Sequence, residues 1–314
     1  MPSARPVVVT SCTARKKQAA SGALRLRLAS APSSLEALAE GWRDQLRTAV
    51  STHHVGDLYA GRGFRQAQQA AAFCGAALHV VSAGLGLVGS EDLVPAYDLT
   101  AASKTSSLSP LLDSLSADPA AWWRQLTGGA PLTQLIVDTA PSTVLMALPS
   151  SYLEMLRDDL AEVPAAHLKR LRIFTSGLGA AILSERLQRT VMPYDDRLEA
   201  LRGWSGTRSD FPQRALWHFV KELQGHRLSA IDGRTAVHDA LQSLQAPTRA
   251  IGARLDDAAL RRWIQVNWAP CDGSTTRLLS RLRHDAGLAC EQGRFAQLCR
   301  DIRATRQEER RAAA

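Results

Sequence analysis

The sequence predicts an α/β protein, a three-layer sandwich with a central, mainly parallel sheet, followed by an all-helical C-terminal domain. Short, β-branched apolar runs with almost no alternation are typical of strands buried on both faces. Helical patterns separate these runs, as in parallel sheets with right-handed crossovers. The strand pattern stops near residue 190, so we expect two domains, residues 1–190 and 191–314.

Four runs are predicted strands, and each ends in small polar residues. The runs are 7–10, 78–81, 135–137 and 171–174. Open parallel sheets bind ligands where the carboxyl ends of their strands converge. We therefore expect one rim that gathers Ser11, Cys12, Ser82, Gly84, Asp138, Ser176 and Gly177.

Helices are predicted between the strands and throughout the C-terminal domain. In the first of them, Leu35, Leu38, Trp42 and Leu46 recur at helix spacing, and Ser33 or Ser34 supplies the N-cap. The predicted helices between strands are 35–50, 64–74, 114–126 and 148–160. Those of the C-terminal domain are 212–223, 235–244, 256–266, 275–283 and 291–306.

The amino-acid composition limits the kinds of partner and cofactor that we expect for this chain. The 314 residues carry a net charge of +8, which favours polyanionic partners, although an arginine-rich composition alone has the same effect. Five widely spaced cysteines without a CxxC pair, and histidines without ligand spacing, predict no disulfide framework and no metal. No apolar run approaches the roughly 20 residues of a membrane span. We expect no membrane partner and a cytoplasmic protein.

Three motifs follow predicted strands or open a helix. In residues 10–17, side chains with small hydroxyl groups precede Lys16 and Lys17, and this combination favours binding of a phosphate. Cys12 in the same motif is either a nucleophile or a small buried residue. In 57–65, two glycines bracket Arg62. Tyr59 and Phe64 beside it are either base-stacking rings or core aromatics at a helix start.

The third motif runs from Ser82 to residue 100. Glycines at a strand end allow a ligand to approach the backbone, and Gly84 follows Ser82 closely. Tyr97 and Asp98 come next, in a loop that Pro95 anchors. A ring beside a carboxylate is what a base pocket requires.

Together the three motifs resemble a known superfamily. The segments SCTARKK, DLYAGRGFRQA and VVSAGLGLV…VPAYDLT are similar to bacterial domains related to the YaaA peroxide-stress protein and to the uracil-DNA-glycosylase-like domain of archaeosine synthases. The resemblance covers residues 5 to 180. It implies a uracil-DNA-glycosylase-like fold and base excision, as in anti-phage enzymes that remove modified bases from viral DNA. The superfamily's water-activating loop and histidine-proline-serine loop are absent here.

If the chain is a glycosylase, its acid or base must sit elsewhere, and we assign the catalytic role to Asp98 and Asp138. A carboxylate stabilises an oxocarbenium-like sugar or orients the attacking water. The alternative for Asp138 is a helix cap. The base would be flipped out of the DNA and bound by the rim residues. The predicted base-binding residues are Ser11, Cys12, Tyr59, Phe64, Ser82, Gly84, Tyr97 and Ser176.

The C-terminal half supplies candidate DNA contacts. Arg208 and Arg214 flank a predicted helix start, and 274–306 contains seven arginines and three acidic residues. A helix, a glycine turn and a second helix there resemble a helix-turn-helix module; the alternative is a docked helical hairpin. The predicted DNA-binding residues are Lys16, Lys17, Arg62, Arg208, Arg214, Arg277, Arg281 and Arg283.

The leading hypothesis is a DNA glycosylase that removes a modified base, without a cofactor, in phage defence. Two alternatives remain open. One is a DNA-binding protein without catalysis, and the other is a transferase acting on a nucleotide or deazapurine at the same rim.

Overall fold

The structure is a computed structural model that describes residues 5–13, 16, 24–26, 32–99, 108–247 and 253–312. Contacts divide the chain into two compact units, Met1–Pro247 and Thr248–Ala314. The domain boundary expected after residue 190 lies inside the first unit, because the helix Phe211–Lys221 packs against the central sheet. Within the described residues, no helix is long and apolar enough to span a membrane.

Eleven strands occur in the described residues. In chain order they are β1 (Val7–Ser11), β2 (Leu24–Arg25), β3 (His53–His54), β4 (Ala77–Ser82), β5 (Gly86–Gly89), β6 (Leu93–Val94), β7 (Tyr97–Asp98), β8 (Val144–Ala147), β9 (Leu171–Phe174), β10 (Ala253–Arg254) and β11 (Leu288–Ala289).

Five of these strands form one sheet in the order β5-β4-β1-β8-β9. β1 pairs in parallel with β4 on one side and with β8 on the other, and β9 continues in parallel from β8. β5 runs antiparallel to β4. The predicted α/β class with a mainly parallel sheet is confirmed. All five residues of β1 are buried, as expected for the central strand.

Helices connect and cover the strands. The α-helices are α1 (Leu35–Thr48), α2 (Val55–Leu58), α3 (Arg62–Cys74), α4 (Ser109–Ser114), α5 (Pro119–Thr127), α6 (Pro131–Asp138), α7 (Ser150–Met155), α8 (Arg157–Ala161), α9 (Ala165–Leu168), α10 (Gly177–Ile182), α11 (Glu185–Gln188), α12 (Phe211–Lys221), α13 (Ala230–Leu241), α14 (Asp257–Asn267), α15 (Thr275–His284) and α16 (Gln292–Ala312). Four short 3-10 helices are Asp196–Ala200, Arg208–Asp210, Gly225–Arg227 and Ala269–Cys271.

Apolar side chains pack on both faces of the sheet. Successive residues of a strand point to opposite faces, so Val7 and Val9 join a cluster that includes Trp42 of α1. Val8 joins a second cluster with Phe219 of α12. This alternation explains why the run at residues 7–10 is apolar throughout.

One predicted strand is wrong. The run 135–137 lies in α6, which begins at Pro131 and buries Leu132 and Ile136, four residues apart. Proline is favoured at a helix start, and an apolar run of three residues does not by itself distinguish a helix from a strand. The sheet position belongs instead to β8, whose four residues are all buried.

The predicted helices are recovered with changes at their ends. α1 begins after Ser34, whose hydroxyl accepts a hydrogen bond from the Ala37 amide at 3.2 Å. The helix expected over 114–126 begins later, as α5, after Asp118 caps it. The helix expected over 148–160 is interrupted at Leu156 and forms α7 and α8.

The described residues of the C-terminal unit form three α-helices and one short 3-10 helix. α14, α15 and α16 pack around buried side chains that include Leu260, Leu282 and Phe295. β10 pairs with β11, so this unit is not all-helical as predicted. A turn with Gly287 at φ 61° separates α15 from α16. The helix-turn-helix function of this pair stays a prediction.

Candidate active site

The neighbouring strands β1 and β4 bring Ser11, Cys12 and Ser82 to one edge of the sheet. Ser11 and Cys12 are 4% exposed, and Ser82 is fully buried. The Ser82 hydroxyl accepts hydrogen bonds from the amides of Gly84 and Leu85, at 3.1 and 3.0 Å. The rim expected at the carboxyl ends of these two strands is present, and its side chains are enclosed.

The loop after β4 is held by two tryptophans. The Trp42 indole donates to the Gly84 carbonyl at 2.7 Å, and the Trp122 indole donates to the Ala83 carbonyl at 2.8 Å. A side chain at Gly84 would place its Cβ 2.6 Å from the Tyr97 ring. Gly84 therefore packs beneath Tyr97. The Tyr97 ring occupies the space in which a base would have to contact Gly84.

The three aromatic residues predicted to stack on a base belong to the core. Tyr59 and Tyr97 are fully buried, and Phe64 is 1% exposed. The Tyr59 and Tyr97 hydroxyls lie 2.6 Å apart, and the Tyr97 hydroxyl lies 2.6 Å from Ser82 Oγ. Burial raises the pKa of both phenols above the usual range. These rings present no open face to a base, so the alternative of core aromatics holds.

Lys16 covers the Tyr97 ring. Its ammonium lies 4.3 Å from the ring centroid, and its backbone bridges to Tyr59. Burial lowers the pKa of Lys16 below its ordinary value, while the nearby Cys12 and Asp98 act in the opposite direction. Lys16 was predicted as a phosphate contact; the structure brings it to the same cluster as Cys12 and Asp98. Lys17 lies outside the described residues.

Cys12 makes a buried contact that sequence reasoning missed. Its Sγ lies 2.9 Å from the hydroxyl of Tyr152 in α7. The Tyr152 hydroxyl also donates to the Cys12 carbonyl at 3.4 Å. The thiol is thus enclosed between β1 and α7, as the alternative of a small buried residue predicted.

The two predicted catalytic carboxylates do not share a site. Asp98 is exposed in β7, beside Lys16, and its carboxylate lies 3.8 Å from Arg25 Nε. Asp138 is exposed at the end of α6, where it accepts a hydrogen bond from Gln134 at 2.7 Å. Asp138 is therefore off the rim, because the segment that carries it is a helix, and it does not cap the next helix either.

Ser176 lies on the rim but far along it, after the edge strand β9. Its hydroxyl accepts a hydrogen bond from the Gly179 amide at 3.3 Å and so caps α10. The strand β8 lies between β9 and β1 in the sheet. The structure does not bring Ser176 to the cluster formed by Lys16, Cys12 and Asp98, which we call the Lys16 cluster.

Behind β1, α3 and α12 carry a network of charges. Arg62 donates through Nε to Asp210 Oδ2 at 2.9 Å. Arg214 lies 2.7 Å from Glu199 and 3.4 Å from Asp210, and its side chain is 1% exposed. The predicted contact of Arg214 with DNA is wrong, because both carboxylates neutralise it inside the fold.

The same helix reaches the end of β1 through Gln213. Its amide Nε2 donates to Thr10 Oγ1 at 3.2 Å and to the Ala147 carbonyl at 3.2 Å. Its Oε1 has no hydrogen-bond partner. Sequence reasoning missed Gln213, Asp210 and Glu199. The one available signal was a pair of polar residues, Gln213 and Arg214, directly after a helix-starting proline.

The other predicted DNA contacts have varied surroundings. Arg62 keeps 44% of its side chain exposed, and Arg208 is exposed. In the C-terminal unit, Arg277 pairs with Asp272 and Arg281 lies 3.9 Å from Asp285. Arg283 donates to the Cys290 carbonyl at 3.1 Å.

Among the described residues, no group of three or more histidine, cysteine, aspartate or glutamate side chains is placed to hold a metal ion. Comparison with protein-family models, with curated proteins and with solved structures finds no match to the chain.

Proposed function

We propose that the chain is a DNA glycosylase that hydrolyses the N-glycosidic bond of a modified base and acts in defence against phage. The observation that carries the proposal is the position of Lys16, whose ammonium lies 4.3 Å from the centroid of the Tyr97 ring and near the carboxylate of Asp98. A half-buried ammonium with a lowered pKa stands near an exposed carboxylate. A titratable group with a perturbed pKa among other polar side chains is typical of an active site.

The chemistry follows from the two charges. Cleavage of the C1′–N bond leaves its electron pair on the base and positive charge on the sugar. Lys16 protonates the departing base, and its lowered pKa makes it a stronger acid than an ordinary lysine. Asp98 stabilises the sugar cation and accepts a proton from the attacking water. The hydroxide so formed joins C1′ and leaves an abasic site.

The net charge of +8 supports a nucleic acid as the molecule that contains the target base. Arg62 and Arg208 in the first unit have exposed side chains that suit backbone phosphates. In the C-terminal unit, Arg277 and Arg281 lie four residues apart on α15 and extend from one helix face.

The test is abasic-site formation on DNAs that carry natural and modified bases, read as alkali-labile breaks and as released base by mass spectrometry. Lys16→Met and Asp98→Asn should each lose the activity by about 100-fold or more, in line with the removal of an acid–base group. Lys221→Met removes an exposed lysine and is the matched control. Absence of released base from every DNA by the wild-type chain would refute the proposal.

A nucleic-acid-binding role without catalysis is the second candidate, and the burial of Tyr59, Phe64 and Tyr97 favours it. This role predicts DNA affinity that falls steeply with salt and is unchanged in Asp98→Asn. DNA binding with no base release would favour it over the glycosylase.

A further inference from the structure

A small cationic cavity lies at the amino-terminal end of β9, away from the rim. Its volume is about 250 Å³, and it opens among β9, α11 and α13. Its cationic lining residues are Lys169, Arg172, Arg186, Arg189 and Arg234. None of the described residues that line it is acidic. Five cations around one hollow repel one another, so an anion among them is electrostatically favoured.

Arg172 is the buried member of this group. It is 4% exposed, because its position in β9 faces the same side of the sheet as its register partner Leu145. Its Nη1 donates to the carbonyls of Lys169 and Leu171, at 2.8 and 2.9 Å, and its Nε has no partner. Burial lowers its pKa, and no carboxylate opposes that shift. A buried charge of this kind calls for a counter-ion.

The surrounding cations are only weakly neutralised. Arg189 pairs with Glu185 at 2.6 Å, and both side chains are more than 70% exposed, at 77% and 83%. Arg186 donates to the Ala161 carbonyl at 2.6 Å, and Arg234 donates to the Val191 carbonyl. Carbonyl oxygens orient these guanidinium groups without cancelling their charge, which leaves their other N–H groups for an anion.

We propose that this cavity binds a small multivalent phosphate anion, of the size of inorganic phosphate or pyrophosphate. Arginine forks match phosphate oxygens, and several cations together favour a dianion over a monoanionic carboxylate. A duplex backbone is not the occupant, because its phosphates meet a protein at the surface whereas Arg172 is buried in the strand. The proposal does not rest on the glycosylase function, since none of the residues involved belongs to the Lys16 cluster.

The experiment measures binding of pyrophosphate, and separately of inorganic phosphate, to the full chain by calorimetry and by thermal melting. Sodium chloride of equal ionic strength is the reference. For the wild-type chain, pyrophosphate at about ten times its Kd should raise the melting temperature by about 3 °C. Arg172→Leu should weaken pyrophosphate binding at least about tenfold, through loss of charge-assisted hydrogen bonds.

Two further variants keep the test decisive if Arg172→Leu does not fold. Arg189→Gln and Arg234→Gln change exposed side chains at the same cavity and should also weaken binding. Arg43→Gln, an exposed position on α1 with the same loss of charge, should not. Pyrophosphate that shifts melting no more than chloride, or that binds equally well to all these variants, would overturn the proposal. So would a DNA duplex that binds in an Arg172-dependent manner when pyrophosphate does not.

Discussion

The hydroxyls of Tyr59 and Tyr97 lie 2.6 Å apart, in a fully buried contact between residues 38 positions apart in the chain. The Tyr97 hydroxyl also contacts Ser82 Oγ at 2.6 Å. One chain of hydroxyls therefore ties the turn between α2 and α3, the end of β4 and the strand β7 together beneath Lys16. These buried hydroxyl groups lie beneath the candidate active site, and its accessible groups are Lys16 and Asp98.

Removal of one hydroxyl from this chain should destabilise the first unit. Tyr97→Phe leaves Tyr59 and Ser82 each with one contact fewer, and the expected loss is about 1–3 kcal/mol in the free energy of unfolding. Urea denaturation measures it. In a double-mutant cycle, Tyr59→Phe and Tyr97→Phe should be coupled by about 0.5 kcal/mol or more. Strictly additive effects would show that the two hydroxyls do not interact.

Asp210 should be essential to the charge network. Asp210→Asn leaves Arg62 and Arg214 facing a neutral amide, and Arg214 is almost fully buried. Removing one partner of a buried ion pair costs about 3 kcal/mol or more, and we expect a loss of this size in urea denaturation. Asp239→Asn, at an exposed position of α13, is the matched control and should change little. Equal stability of both variants would contradict the role of the network.

Two glycine-to-alanine substitutions should change the free energy of unfolding in opposite directions. Gly84→Ala places a Cβ 2.6 Å from the Tyr97 ring, in a fully packed region, so it should destabilise the fold by about 1–3 kcal/mol. Gly41→Ala lies inside α1 with nothing within 4 Å, so it should stabilise the chain by roughly 0.5–1 kcal/mol. Both are read as shifts of the urea midpoint. Stabilisation by Gly84→Ala would mean that Tyr97 does not pack on this loop.

His218 should make stability depend on pH. Burial lowers its pKa to about 4, and its Nδ1 lies 2.8 Å from the Tyr194 hydroxyl. Its ordinary pKa is 6.5. Below 6.5 the unfolded chain takes up a proton that the folded chain does not, so stability is complete above 6.5 and falls as the pH drops towards 4. The contribution lost is roughly 3 kcal/mol.

The measurement is the free energy of unfolding at several pH values in that window, for wild type and His218→Gln. The wild-type curve should fall more steeply with acid than the His218→Gln curve. His238→Gln removes an exposed histidine of α13 and should keep the wild-type slope. Parallel curves for wild type and His218→Gln would show that His218 titrates normally.

The proposed activity should have an alkaline limit set by Lys16. Because Lys16 must be protonated to release the base, activity should fall as pH rises through its lowered pKa, at a pH below the ordinary value of 10.5. The readout is the rate of base release against pH with saturating DNA. A rate that stays constant up to pH 10.5 would exclude Lys16 as the proton donor.

Three of the five sheet strands follow from the sequence. β1, β4 and β9 are short runs rich in apolar and β-branched residues, with little alternation, and such runs are typical of strands buried on both faces. β8 was missed, and its place was given to α6, because three apolar residues in α6 are compatible with either structure. That single error moved Asp138 onto the rim.

The candidate site was only partly accessible to sequence reasoning. Ser11, Cys12 and Ser82 could be placed together because parallel strands end at one edge. The burial of the Tyr59 and Tyr97 rings could not be predicted, since it depends on how the loop after β4 folds back. The same holds for Arg214, whose carboxylate partners, Glu199 and Asp210, are brought together only by packing.

The sequence by itself determined the α/β class and the common edge of β1 and β4, because local apolar patterns encode strands and their burial. Only the tertiary structure decided which polar side chains remain reachable. It put Lys16 over Tyr97, left Asp98 exposed and buried Arg172 with no ion pair to a carboxylate of the described residues. Contacts between distant segments set burial and charge pairing, and no local pattern records them.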